Sequence, residues 1–140
     1  MQETIKIQTQ GNTDIIDITD TIQGILNKSN TKEGIVNIFV KHTTAGIAII
    51  EIEKGILQDL KQTLNKLIPQ DQHYNHNELQ HDDNAHSHLK ASLLKPDINV
   101  PFQNNKLLLG IWQRITLIDF DTHSREREVV ITILQTPSTP

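Results

Sequence analysis

Between Asn84 and Leu94 the chain reads Asn-Ala-His-Ser-His-Leu-Lys-Ala-Ser-Leu-Leu, which sets two imidazoles, an amine and two hydroxyls in a largely apolar run. Five of the seven histidines, His73, His76, His81, His86 and His88, fall between Asp71 and Lys90. Imidazole titrates near neutral pH and is the commonest metal ligand, so this clustering points to acid–base chemistry, a metal or an anion. The spacing narrows the choice. Asn84 is a favoured helix-capping type, and Leu89 and Leu93 stand four apart, as do His88 and Ser92, so a short helix starting near Asn84 is predicted. Residues two apart on a helix point roughly 200° away from each other. His86 and His88 can therefore share a ligand only if the helix begins after them, and His86 pairs instead with Lys90.

Three more polar groups end apolar rows on predicted strands. His42 follows Val36, Ile38 and Val40, Glu51 follows Ile47 and Ile49, and Asp119 follows Ile111, Gln113, Ile115 and Leu117, each at the two-residue period of a strand. If those strands are neighbours in one sheet, their ends form a rim pocket in which acid and imidazole meet under partial desolvation, the setting that tunes pKa values for proton transfer. The plainer reading is that each acid emerges into solvent and that His42 is a satisfied structural histidine.

For metal binding the candidates are His42, His86 and His88, with zinc favouring histidine and magnesium favouring oxygen ligands plus phosphate. The sequence lacks the His-Glu-x-x-His spacing that aligns two imidazoles on a helix, and His73, His76 and His81 read as solvated loop residues. Lys90, Ser92, Arg125 and Arg127 are the anion-binding candidates, Arg127 reading most simply as a solvated surface charge. Ser92 has no Gly-x-Ser-x-Gly context, and the chain has no Gly-rich phosphate loop.

Alternation predicts strands over 4–9, 14–18, 35–42 and 47–53. Helical periods predict an amphipathic helix after Asp20, with Asp20 and Gln23 as a capping-box variant, and a second helix over 55–68 stopped by Pro69. Residues 70–83 read as a polar loop. The last third reads as consecutive antiparallel hairpins: 97–102, a turn at Asn104-Asn105, one long strand over 107–120, a turn at Thr122-His123-Ser124, and 127–134. This order gives an α+β class: a single compact domain, largely antiparallel sheet, with two main helices and one short helix.

The chain has 140 residues, enough for one domain with a real core. We expect that domain over 1–135 and a short disordered tail over 136–140. With 36% hydrophobic and only 4% aromatic residues the core must be aliphatic. A net charge of −4 without a basic block argues against a nucleic-acid partner. The absence of cysteine excludes disulfides, thiolate metal sites and a cysteine nucleophile. No apolar run suits a membrane span or a leader, which gives the expectation of a soluble cytoplasmic protein.

Three motifs set side by side resemble the YjbQ family: His42-Thr-Thr-Ala45 with Glu51 downstream, His86-Ser-His-Leu-Lys-Ala-Ser-Leu-Leu94, and Gly110-Ile-Trp-Gln113 followed by Ile118-Asp-Phe-Asp-Thr-His-Ser-Arg125. The resemblance implies a compact α+β domain, a homotrimer, and a histidine-containing site near subunit contacts. It implies His42, Glu51, His88, Lys90, Ser92 and Asp119 as catalytic candidates, with Arg125 as a phosphate-binding residue. The implied activity is that of a thiamine-phosphate synthase, joining a pyrimidine-methyl diphosphate to a thiazole phosphate with release of diphosphate and assistance from a divalent metal. The alternative reading is a non-enzymatic trimer that binds a metal or phosphate ligand. Lys95, Ile111 and Thr122-His123 depart from the family pattern, which affects local turns and not the site residues.

Overall fold

The structure is a computed structural model that describes residues 1–137. Its elements in order are β1 (Gln2–Thr9), β2 (Asp14–Asp17), α1 (Thr19–Lys28), β3 (Glu33–Val40), β4 (Ala45–Ile50), α2 (Lys54–Leu67), α3 (Asn75–Gln80), α4 (Ala85–Leu94), β5 (Asp97–Gln103), β6 (Lys106–Leu107), β7 (Arg114–Asp119) and β8 (Arg125–Gln135). The strands form two antiparallel sheets, one of five strands in the order β1-β8-β3-β5-β6 and one of three in the order β2-β7-β4. The expected α+β class is the one observed, with four helices rather than three.

The main core lies between the sheets. Val36, Ile38 and Val40 of β3 and Val129, Ile131 and Ile133 of β8 face Ile115 and Leu117 of β7, with Ile22, Ile25 and Leu26 of α1 closing one side. A second, smaller cluster lies on the other face of the three-stranded sheet, where Ile118 and Phe120 pack on Leu64 of α2 and Ala91 of α4. β7 is thus covered on both faces, which is why Ile115 to Asp119 are all buried and why alternation alone says little about it.

Four local expectations are corrected. The single strand over 107–120 is two strands, because a turn closed by the Gln113 N–H on the Gly110 carbonyl interrupts it. The turn at 122–124 is not a hairpin: β7 and β8 belong to different sheets, and the chain crosses between them there. The polar stretch 70–83 contains α3, a helix too short for a period to show. The Asp20–Gln23 capping box does not form, since Asp20 binds Arg114, Gln23 binds Asn27 and the Asn105 carbonyl, and Asp17 takes the Thr19 N–H at the helix start. The expected tail over 136–140 falls mostly outside the described residues, and Thr136 donates its N–H to the Glu33 carbonyl.

Candidate functional site

Beyond Val40 the alternation of β3 gives out, and residues 41–44 cross to the second sheet, carrying His42, Thr43 and Thr44 over the end of β7. α4 packs beside β4, and Gly46 permits the approach: a Cβ there would lie 3.1 Å from Leu94 Cβ and 3.1 Å from the Lys95 carbonyl oxygen. His42 and His88 consequently face one groove. Its apolar part, about 320 Å³, is lined by Ala45, Ala91, Ser92 and Pro96 together with the two histidines and Thr43. Its polar part, about 460 Å³, adds Thr44, Asn84, Asp121, Arg125, Glu126 and Arg127.

The floor of the polar part is a buried ion-pair network. Arg127 donates Nε and Nη2 to the two oxygens of Asp119 at 2.6 and 2.7 Å, and Nη2 also reaches Thr44 Oγ1 at 2.7 Å. Asp119 further accepts the Thr9 hydroxyl and the Asp121 N–H. Thr44 passes its own proton to Asp121 Oδ2 at 3.0 Å, and Arg125 donates Nε to the same oxygen at 3.0 Å. Burial opposes ionisation of Asp121, but the Thr122 N–H, the Thr44 hydroxyl, Arg125 and Asn84 outweigh it and lower its pKa to about 2. Among the described residues, Asp121 is Arg125's sole side-chain partner, so the terminal amino groups of this 41%-exposed side chain face the groove unpaired.

Burial favours the neutral form of both imidazoles. Burial, and then the Arg127 charge, lower the pKa of His42. Its Nε2 accepts the Glu128 N–H at 3.0 Å, so a neutral ring must carry its proton on Nδ1, available as a donor. Burial, and then His76, lower the pKa of His88. The His76 ring stands edge-on to His88 with centroids 4.7 Å apart, and His76 Nε2 in turn meets Asn84 Oδ1 at 3.2 Å. His76 therefore braces His88, contrary to its reading as a solvated loop residue.

The structure brings together His42, His88, Ser92, Asp119 and Arg125, and separates the other candidates. Glu51 lines a different cavity with Asp17, Trp112 and Arg114. The reason is strand direction. β4 and β7 are antiparallel, so Ala45 is opposite Asp119 whereas Ile50 is opposite Arg114, which puts Glu51 at the other end of the sheet, about 17 Å along a strand. The shared rim of His42, Glu51 and Asp119 does not form. His86 and Lys90 lie on the opposite side of α4 from His88, around another cavity with Asn65 and Gln70. α4 begins at Ala85, before both histidines, so His86 and His88 diverge as helical geometry requires.

The metal trio of His42, His86 and His88 accordingly does not fit a zinc or magnesium ion, since His86 is turned away and His42 Nε2 is engaged. Among the described residues no group of three His, Asp or Glu side chains could hold one. Arg127, expected to be a solvated charge, is 3% exposed. A signal for it existed, because Arg127 continues the buried row Val129, Ile131 and Ile133 at the strand period. Thr44, Asn84 and Asp121 are site residues that no periodicity marks.

The sequence profile described as UPF0047 protein YjbQ-like matches residues 3–136. A UPF0047 protein of Archaeoglobus fulgidus is 38% identical over 130 residues, 93% of this chain and 98% of that one. Another from Methanothermobacter thermautotrophicus is 35% identical over 95% of this chain and 91% of its own. Among solved structures, a YbjQ-like protein of unknown function from Sulfolobus solfataricus superposes with a TM-score of 0.91 at 34% identity over 97% of each chain. An uncharacterised conserved protein of the family from Clostridium acetobutylicum gives 0.86 at 32% identity, over 94% of this chain and 99% of the other. Motifs, whole-length sequence match and superposed fold agree, and the chain belongs to the UPF0047 family of YjbQ-like proteins.

Proposed function

We propose that the chain is a transferase acting on a small phosphorylated substrate in the His42–His88 groove, with thiamine-phosphate synthesis as the reaction to test first. One observation carries this reading: two imidazoles line the same groove as the free fork of Arg125, which Asp121 holds in place. An arginine fork matches phosphate oxygens in pairs, and a cation held before the reaction begins stabilises charge as it develops. In the synthase reaction the bond between the pyrimidine methylene and diphosphate breaks while the thiazole nitrogen forms a bond to the same carbon. The thiazole nitrogen attacks with a lone pair, so no general base is needed. What the protein must do is hold diphosphate and orient the two rings. Arg125 and the N–H groups of His42 and His88 are suited to the first task, and the apolar half of the groove, with Ala45, Ala91 and Pro96, to the second.

The test is direct. His88→Ala should abolish thiamine-phosphate formation while leaving the thermal transition nearly unmoved, because His88 is only half-buried and outside both core clusters. Retained turnover would remove His88 from the mechanism. A second reading is a phosphate-ligand binding module without turnover, which the same exposed donors of Arg125 beside the two imidazoles would serve. Calorimetry with phosphate and thiamine phosphate separates the readings, since tight binding without product formation supports the second.

We also infer assembly as a homotrimer, acting in the cytoplasm. Ile111 and Trp112, at 86% and 67% exposure, with Ile52 nearby, leave an apolar surface that a second copy would cover. Sedimentation should give three times the 15.9 kDa chain mass, and a monomer would overturn this inference. Among the described residues no helix is long and apolar enough to cross a membrane.

A further inference from the structure

The side of α4 turned away from the groove holds a second arrangement that the proposed chemistry does not use. Lys90 is 2% exposed and has no carboxylate within ion-pair distance among the described residues. Its Nζ donates to Asn65 Oδ1 at 2.6 Å, and among the described residues two ammonium protons find no side-chain acceptor. Isolated buried charges are costly, and proteins pair or neutralise them. His86 stands one helical turn before Lys90 on the same face, is 3% exposed, and its Nδ1 has no hydrogen-bond partner. Both residues line a small cavity of about 80 Å³, closed by Phe120 and edged by Asn12, Thr13 and Gln70. A cavity of that size has room for a small ion of a few heavy atoms. Thr13, itself buried, is held at φ +64°, an unusual conformation for a β-branched residue. Strain of that kind gathers at binding sites.

The protonation of His86 specifies what the occupant must offer. Ser87 has one hydroxyl proton and gives it to the Phe120 carbonyl. The 3.3 Å contact between Ser87 Oγ and His86 Nε2 is then a bond donated by Nε2–H, so a neutral His86 presents a lone pair at Nδ1. Burial, and then the Lys90 charge, lower its pKa and favour that neutral form over the opposing pull of Asp83, through its charge and its backbone carbonyl, and of Asp121. The cavity therefore contains one unmatched cation, one unmatched acceptor and no carboxylate. We propose that the His86–Lys90 cavity is a binding site for a small monoanion that carries its own hydroxyl donor, of the size and charge of bicarbonate. The anionic oxygens face Lys90 and the hydroxyl faces His86 Nδ1.

Nitrate has the same shape and charge as bicarbonate but no proton, which makes the pair a clean test. The measurement is a titration of the labelled full chain at pH 8 and constant ionic strength with potassium bicarbonate or potassium nitrate, following the side-chain amide signals of Asn65 and Gln70. Bicarbonate should shift them saturably, nitrate should bind at least about tenfold more weakly for want of one buried hydrogen bond, and Lys90→Met should lose both responses. Should Lys90→Met fail to fold, the wild-type comparison of the two anions still decides. The proposal is overturned by no saturable shift at Asn65 and Gln70, by equal affinity for the two anions, or by shifts confined to Thr44 and Arg125. A carbamate signal on Lys90 from labelled bicarbonate would overturn it too, by showing reaction with carbon dioxide in place of anion binding.

Discussion

Replacing Arg127 by methionine removes the cation from the network beneath the groove while roughly keeping its volume. Asp119 is 0% exposed and would retain only the Thr9 hydroxyl and the Asp121 N–H. Two charge-assisted bonds at 2.6 and 2.7 Å vanish, and Thr44 loses the donor that fixes its orientation toward Asp121. Taking one partner from a buried, doubly bonded pair costs about 3–5 kcal/mol, because the remaining charge cannot return to water. That is a large share of the roughly 5–15 kcal/mol typical of a whole domain. For a chain of this size it corresponds to a fall in Tm of roughly 10–15 °C.

The control is the double variant Asp119→Leu/Arg127→Met, in which neither charge is left. Buried pairs replaced by apolar side chains of similar volume are often neutral in stability, so the double variant should recover most of what the single one loses. Urea unfolding followed by circular dichroism reads both. A loss below about 1 kcal/mol for Arg127→Met would place this pair with solvent-exposed ion pairs and refute the reasoning. A double variant no better than the single one would show that the pair is a net source of stability and not only a mutual satisfaction of buried charges.

Arg125→Ala should weaken phosphate binding by calorimetry at least about tenfold, given the worth of a charge-assisted pair, with little change in Tm because the side chain is 41% exposed. Gly11→Ala should lower stability by about 2 kcal/mol or more and weaken phosphate binding as well, since Gly11 has φ +78° and a Cβ would meet the Asp121 carbonyl oxygen at 2.5 Å; unchanged unfolding would contradict the packing described. The pH dependence of stability has a defined sign. His42, His86 and His88 have folded pKa values below the ordinary 6.5, so the unfolded chain binds more protons and stability, full above that value, declines as pH falls through it. Asp121 adds a second decline between 3.8 and about 2, on the order of 2 kcal/mol. Urea midpoints rising from pH 7 toward pH 5 would contradict the first limb.

Much of the fold can be read from the chain. The apolar rows of β1, β3 and β8 alternate because each strand has one face on the core, and the long period of α2 ends at Pro69 for a local reason. What cannot be read is which strands share a sheet. Placing β3, β4 and β7 side by side in one direction turned three strand ends into one rim, and the actual antiparallel pairing of β4 with β7 carries Glu51 away from Asp119. β7 also defeats alternation, because a second layer of helices buries its outer face. Among site residues, His42 and His88 were legible from their spacing. Asp121, Thr44 and Asn84 were not, since each acts through a loop or helix-start position that only tertiary packing defines.

Two opposite charges each terminate a core-facing row, Asp119 at the end of β7 and Arg127 near the start of β8. Read singly, each looks like a strand end emerging into water. Read together they are a better guess at a buried pair, because the two rows face the same core and a charge on a core-facing row needs a partner. The pair then explains the arrangement around it. Arg127 consumes Asp119 and orients Thr44, Thr44 orients Asp121, and Asp121 aims the exposed fork of Arg125. The two aspartates balance the two arginines and Glu126 also lines the groove, so the proposed phosphate binding would rest on a few donors fixed in direction and not on a net positive field. Helix α4 divides its side chains in the same way: His88 and Ser92 serve this groove, while His86 and Lys90, half a turn away, serve a separate cavity. A single histidine-rich motif therefore lines two separate cavities, because its two imidazoles stand two residues apart on a helix that has already begun.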